Sequence, residues 1–189
     1  LRRLISRVFA TFLIPHLERF HESSVSDGRS EHRPARSSGR RLEDLDRHQP
    51  SDLDGATLPP AGAPNVFSRL IDGAEFGGSD RLELYEFHVD WSTPSNSTFT
   101  ALPDLLTAAF DRELCSGYDL MGTCIPQPGT TQRLESLSAW LMYRLQYRNF
   151  GDYQALVVNH TVDVGGDHAG IRWYELRKTG TSWSIYQQG

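Results

Sequence analysis

A chain of 189 residues and 21.3 kDa, 38% hydrophobic and 23% charged, is long enough for one domain with a substantial core and too short for two large ones. It holds no apolar run of about 18 residues, which excludes a helical membrane span. Two Cys without a Cys-x-x-Cys exclude a disulfide-dense miniprotein and a four-Cys zinc module, and the net charge of −5 speaks against a nucleic-acid partner.

These averages conceal a boundary. Residues 1–50 carry ten Arg and seven acids, whereas 51–189 carry nine Lys and Arg and seventeen acids. The first part therefore reads as an N-terminal extension (1–50) and the second as a β domain (51–189). Leu1, Leu4, Ile5, Val8, Phe9, Phe12, Leu13 and Leu17 recur at the spacing of one helix face. That pattern suits a helix packed on the domain, a basic amphipathic helix on a membrane surface, or the start of a signal peptide without a recognisable cleavage site. From Ser23 to Gln49 scarcely an apolar residue occurs, and such a stretch cannot bury enough surface to offset its backbone entropy, so disorder is expected.

Residues 51–65 form a Pro/Gly/Ala loop. RLELYEFHVDW (81–91) reads as a strand, with a change of parity between Leu84 and Tyr85 that predicts a bulge. Residues 97–102 are its expected partner strand. From Asp104 to Gln132 the text is irregular. Four alternating segments then follow at 141–150, 154–164, 169–177 and 183–189, separated by GDY, GGDH and KTGTS. Short breaks with Gly suit hairpin turns. The expected fold is all-β: an antiparallel meander, the unit of a β-propeller blade, in a partial propeller-like arrangement with incomplete blades. A closed propeller needs at least four blades of about 40 residues, so strands of a longer parent chain are expected neighbours of this one.

DLDGATLPPAGAPN (52–65), EFHVDWS (86–92), CIPQPGT (124–130), LSAWLMYRLQYRNFGDYQALVVNH (137–160) and AGIRWYELR (169–177) resemble a family of large, uncharacterised secreted bacterial proteins with propeller-like β-repeat domains. The resemblance runs from about residue 50 to the last residue and leaves out 1–48. It implies a repetitive β domain in an extracellular or cell-surface location, and it implies no activity.

Several residues could carry chemistry. Cys115 and Cys124 enclose a Gly-containing loop, CSGYDLMGTC. Their spacing suits a local disulfide in an exported protein, two free thiols being the alternative, and the resemblance favours the bridge. Asp52-x-Asp54-Gly55 resembles the opening of a Ca2+ loop, but the further oxygens and the closing Glu are missing. A polar turn is the ordinary reading there, as it is for Asp163, Asp167 and His168, and no cofactor is expected. His88 and His160 stand among apolar neighbours, where a lone His is usually a satisfied core residue. Arg144 and Arg148 share a strand face and could bind an anion, with pairing to Asp163 or Glu175 across the sheet as the ordinary alternative. Asp90 and Trp91 complete the binding candidates. Aromatics such as Trp91, Trp173 and Tyr174 could stack on sugars.

Two function classes follow. The first is a non-catalytic extracellular β-propeller-like domain that binds a glycan or cell-surface partner or serves as a scaffold. The second is a piece of a secreted carbohydrate-active enzyme, for which two carboxylates among Glu86, Asp90, Asp163 and Glu175 would have to converge.

Overall fold

Side chains in Gln154–Asp163, Ala169–Thr179 and Ser182–Gln188 alternate between two environments, and the backbone of each segment is extended. A computed structural model of the chain describes residues 48–116 and 122–189. The helix expected over 1–20 and the structureless stretch, as far as residue 47, lie outside the described residues. In chain order the strands are β1 (Gln49–Leu53), β2 (Asn65–Ile71), β3 (Arg81–His88), β4 (Thr98–Ala101), β5 (Leu105–Leu106), β6 (Thr123–Ile125), β7 (Leu134–Glu135), β8 (Leu145–Asn149), β9 (Gln154–Asp163), β10 (Ala169–Thr179) and β11 (Ser182–Gln188), with a one-turn helix α1 at Gly73–Phe76.

The expected meander is present. Strands β8, β9, β10 and β11 pair antiparallel in sequential order, and β1 to β4 form a second antiparallel run. The two runs are joined by β1 and β8, which pair in parallel, Ser51 opposite Leu145 and Leu53 opposite Tyr147. The main sheet therefore reads β11–β10–β9–β8–β1–β2–β3–β4, with β5 added on β3, and it is curled and open. A parallel partner needs a long connection rather than a hairpin, and here it is supplied by the whole of 54–144.

The curl brings one face of both runs onto a single core. Val66, Leu70, Leu82 and Leu84 from β2 and β3 meet Leu145, Tyr147, Leu156, Val158, Tyr174, Leu176 and Trp183 from the meander. Burying each such Leu or Val side chain contributes about 1.5–3 kcal/mol. At the rim, Lys178 of β10 reaches Glu86 of β3 at 3.0 Å, although four strands lie between them in the sheet order. Residues 107–114 form a strap between the runs. Thr107 and Phe110 donate backbone N–H groups to Asp80, Arg172 donates to the carbonyls of Ala108 and Ala109, and the carbonyl of Asp111 accepts from the Asp163 N–H.

Three expectations need correction. No bulge interrupts β3, whose register with β2 is continuous through Leu84 and Tyr85. Its parity changes because Leu82, Glu83, Leu84 and Tyr85 are all buried, so both faces are covered there. The first strand of the meander begins at Leu145 rather than 141. Leu141 is buried and the Met142 N–H still donates to Asn159, but Tyr143 turns outward and Arg144 is drawn to Asp52 and Asp54 on the neighbouring β1 segment. Finally, β1 begins at Gln49, just before the expected domain boundary.

Candidate functional site

Two buried polar side chains, His160 and Tyr174, bond to each other. His160 is fully enclosed. Its Nδ1 lies 3.1 Å from the carbonyl of Thr161 and its Nε2 3.0 Å from the Tyr174 hydroxyl. A carbonyl can only accept, so Nδ1 carries the proton and Nε2 accepts from the phenol. Burial lowers the His160 pKa to about 4 and raises that of Tyr174 to about 12, so both are neutral at pH 7. His160 is thus a core residue, as expected, and Phe110 of the strap packs edge-on against its ring. His88 differs, being exposed at the last position of β3. Arg112, which the sequence did not single out, is fully buried and ion-pairs with Asp72, the N-cap of α1, at 3.1 Å and with Glu75. Nothing in its local sequence distinguishes it from a solvated arginine.

The sequence-predicted candidates are dispersed. Asp52 and Asp54 face Arg144, at 2.6 and 3.6 Å, rather than a vacant cation position. The hydrogen bond from Arg144 to Asp52 raises the arginine pKa. Among the described residues no three His, Cys, Asp or Glu side chains gather as a metal site. Asp90 accepts from the N–H groups of Thr93 and Ser92, which lower its pKa, and so ties its own turn beside the exposed Trp91. Neither expected partner of the arginine pair is used: Asp163 accepts from the N–H groups of Gly165, Asp167 and His168 in the β9–β10 turn, and Glu175 pairs with Arg177. Glu86 is held by Lys178. Cys115 and Cys124 are bonded, with Cα atoms 5.3 Å apart, inside the range a disulfide requires. Asp167 accepts from the N–H groups of Cys115 and Ser116, and so fastens the bridged loop to the β9–β10 turn.

Chemically distinctive side chains come together on the face of the meander turned away from the core. Cross-strand register places Arg148, Ala155, Arg177 and Ser184 in one row and Gln146, Val157, Glu175 and Gln187 in the next, followed by Asn159 beside Trp173. Planar groups stack across these rows. The Arg148 guanidinium lies 5.1 Å from the Phe150 ring, Phe150 stacks on Tyr153 at 4.7 Å, and Arg177 sits between Tyr153 and Tyr186 at 4.4 and 3.4 Å. Glu175 fixes the stack by accepting from Arg177 at 2.7 Å and from Gln187 at 2.6 Å. Phe150, Val157, Ile171, Trp173 and Tyr186 all remain exposed. The faces of these rings suit the C–H faces of a flat polar ligand, and the flanking amides and carboxylate suit its hydroxyls. The sequence marks Trp173 as a stacking residue, whereas Phe150, Tyr153 and Tyr186 carry no such signal, because only the register and the β8–β9 turn bring them onto one face.

Compared with protein-family models, with curated proteins and with solved structures, the chain matches none of them.

Proposed function

We propose that this chain is a non-catalytic, extracellular, propeller-like β domain whose role is to bind a glycan at the outward face of the β8–β11 meander. The observation that carries this reading is the stack of Phe150, Tyr153, Arg177 and Tyr186, left open beside Trp173 and hemmed by Gln146, Asn159, Glu175 and Gln187. A large exposed apolar surface rimmed by polar groups marks an interaction site, and rings interleaved with hydrogen-bonding side chains suit sugars better than an apolar partner. Placement outside the cell and the blade-like role of the meander rest on the wording shared with secreted bacterial β-repeat proteins, and the sequential pairing of β8 to β11 supports the latter.

The test is retardation of the full chain in native gels cast with soluble polysaccharides of different backbone and charge. At least one polymer should slow the protein, and W173A with Y186A should reduce that retardation at least tenfold in apparent affinity while leaving the melting transition in place. Equal retardation of the parent and the double variant would overturn the reading.

A further inference from the structure

Resting on that reading, we infer that Arg148 is a carboxylate-recognising subsite and that the glycan taken by this face is an acidic one, built from uronic acid residues. Other arginines among the described residues already have acceptors. Arg69 and Arg81 pair with Glu83, Arg112 with Asp72, Arg144 with Asp52 and Arg177 with Glu175, while Arg133 and Arg172 donate to backbone carbonyls. Arg148 is exposed, lies over the Phe150 ring at 5.1 Å and passes beside Gly55. A guanidinium seated on a ring keeps N–H groups for a planar, bidentate acceptor, and a carboxylate matches that fork. Resting on a ring also pre-orients the side chain, so less rotamer freedom is lost on binding.

The surroundings favour a sugar carboxylate over a free anion. Arg148 and Arg177 lie two strands apart in the same row, about 10 Å between backbones, with Phe150 and Tyr153 stacked between them and Ala155 buried. A chain of pyranose rings laid along the outer edge of this stack places an acidic substituent at Arg148 and a further ring toward Tyr186.

The experiment measures binding of the full chain to de-esterified polygalacturonate, to the same polymer fully methyl-esterified, and to poly-glutamate, at low and high salt. The parent protein should bind polygalacturonate at least tenfold more tightly than its methyl ester, with salt weakening only the former. R148Q should remove that preference, so that polygalacturonate and its ester bind alike, and R148K should restore it only in part, because an ammonium cannot form the fork. Equal affinity of R148Q and parent for polygalacturonate, or parent preference for the ester, would overturn the inference and leave glycan binding standing. Poly-glutamate bound as tightly as polygalacturonate would overturn it in favour of an acidic peptide. Binding to none of the three would overturn the inference, while retardation by other, neutral polysaccharides would decide the broader reading separately.

Discussion

The outward face of β2–β3 and the outward face of β8–β11 belong to one curled sheet, carry similar numbers of rings and arginines, and are used in opposite ways. On β2–β3, Phe67, Ile71, Glu83 and Tyr85 are buried. Phe67 meets Phe87 and Phe99 edge-on, Tyr85 stacks on Phe99 at 5.0 Å, and His48 closes over Tyr85 and Phe99. Arg69 is held by Glu83 at 2.7 Å, and Glu83 also accepts from the Tyr85 hydroxyl. On the meander one ring pair, Phe150 on Tyr153, lies between the guanidinium groups of Arg148 and Arg177, Tyr186 stacks on Arg177, and Phe150 and Tyr186 stay in solvent. The difference teaches what an exposed aromatic means here. A ring that packs against other rings stabilises the fold, while a ring spaced by charged groups gains little by burial and remains available to a ligand.

If that division is right, truncation should separate the two faces first by stability. F67A should cost about 3–5 kcal/mol, the range for emptying a buried aromatic site, whereas Y186A should cost less than about 1 kcal/mol for its contact with Arg177. Urea unfolding at pH 7 measures both. Equal costs would mean that the meander face is a packed surface too, and the division would fail.

Acid should also separate them. The His160 pKa is lowered from 6.5 to about 4 because burial disfavours the imidazolium. Between those values the unfolded chain holds a proton that the folded chain does not. The contribution of His160 is therefore complete above pH 6.5, declines as pH falls, and is gone by about pH 4, a loss of about 3 kcal/mol. Across β2–β3 the window lies lower. Burial opposes the Glu83 charge, but the hydrogen bonds of Arg69 and Tyr85 and the charges of Arg69 and Arg81 outweigh it, so its pKa falls below 4.5. Its contribution is present above pH 4.5 and lost only as pH drops through the lowered value. Unfolding free energies from pH 7 to pH 3 should show the first decline in the parent and lack it in H160Q. An identical slope in both would exclude His160 as its source. The disulfide ranks next. Closing a loop of about ten residues restricts the unfolded chain by about 2.7 kcal/mol, so C115S with C124S should lower stability by up to that amount, with faster hydrogen exchange in 107–116, where the strap joins the two runs.

The meander was legible in the sequence because its code is local. Alternation in 154–164 placed Leu156, Val158, His160 and Val162 on the buried face, and Gly in the breaks fixed sequential hairpins; these strands are observed at 154–163, 169–179 and 182–188. The bridge of Cys115 to Cys124 was legible for the same reason. What joins β1 to β8 is not local, since neither strand's pattern names a parallel partner more than ninety residues away. The site follows the same rule. Trp173 declared itself as an aromatic in a strand, whereas Phe150 and Tyr153 lie in a turn whose ring stack appears only when Arg148 and Arg177 come into one row. Arg144 and Arg148 looked equivalent from their shared alternation, yet the strand begins between them, at Leu145, and their environments part there.

That pair provides the finest test of the division. Arg144 is paired with Asp52 at a half-exposed position, where an ion pair contributes little and is screened by salt. R144Q should therefore lower the stability slightly at low ionic strength, and that loss should shrink toward zero at high salt. R148Q removes a guanidinium whose described contact is a ring face and not a carboxylate. Its cost should be about 0.5 kcal/mol or less, with little change on adding salt, because no carboxylate among the described residues pairs with it. Denaturant curves of both variants at low and high salt carry the comparison. A salt-sensitive loss in R148Q equal to that in R144Q would mean that a protein carboxylate already occupies the edge of Arg148, and the open half of the sheet would then be closed by its own side chains.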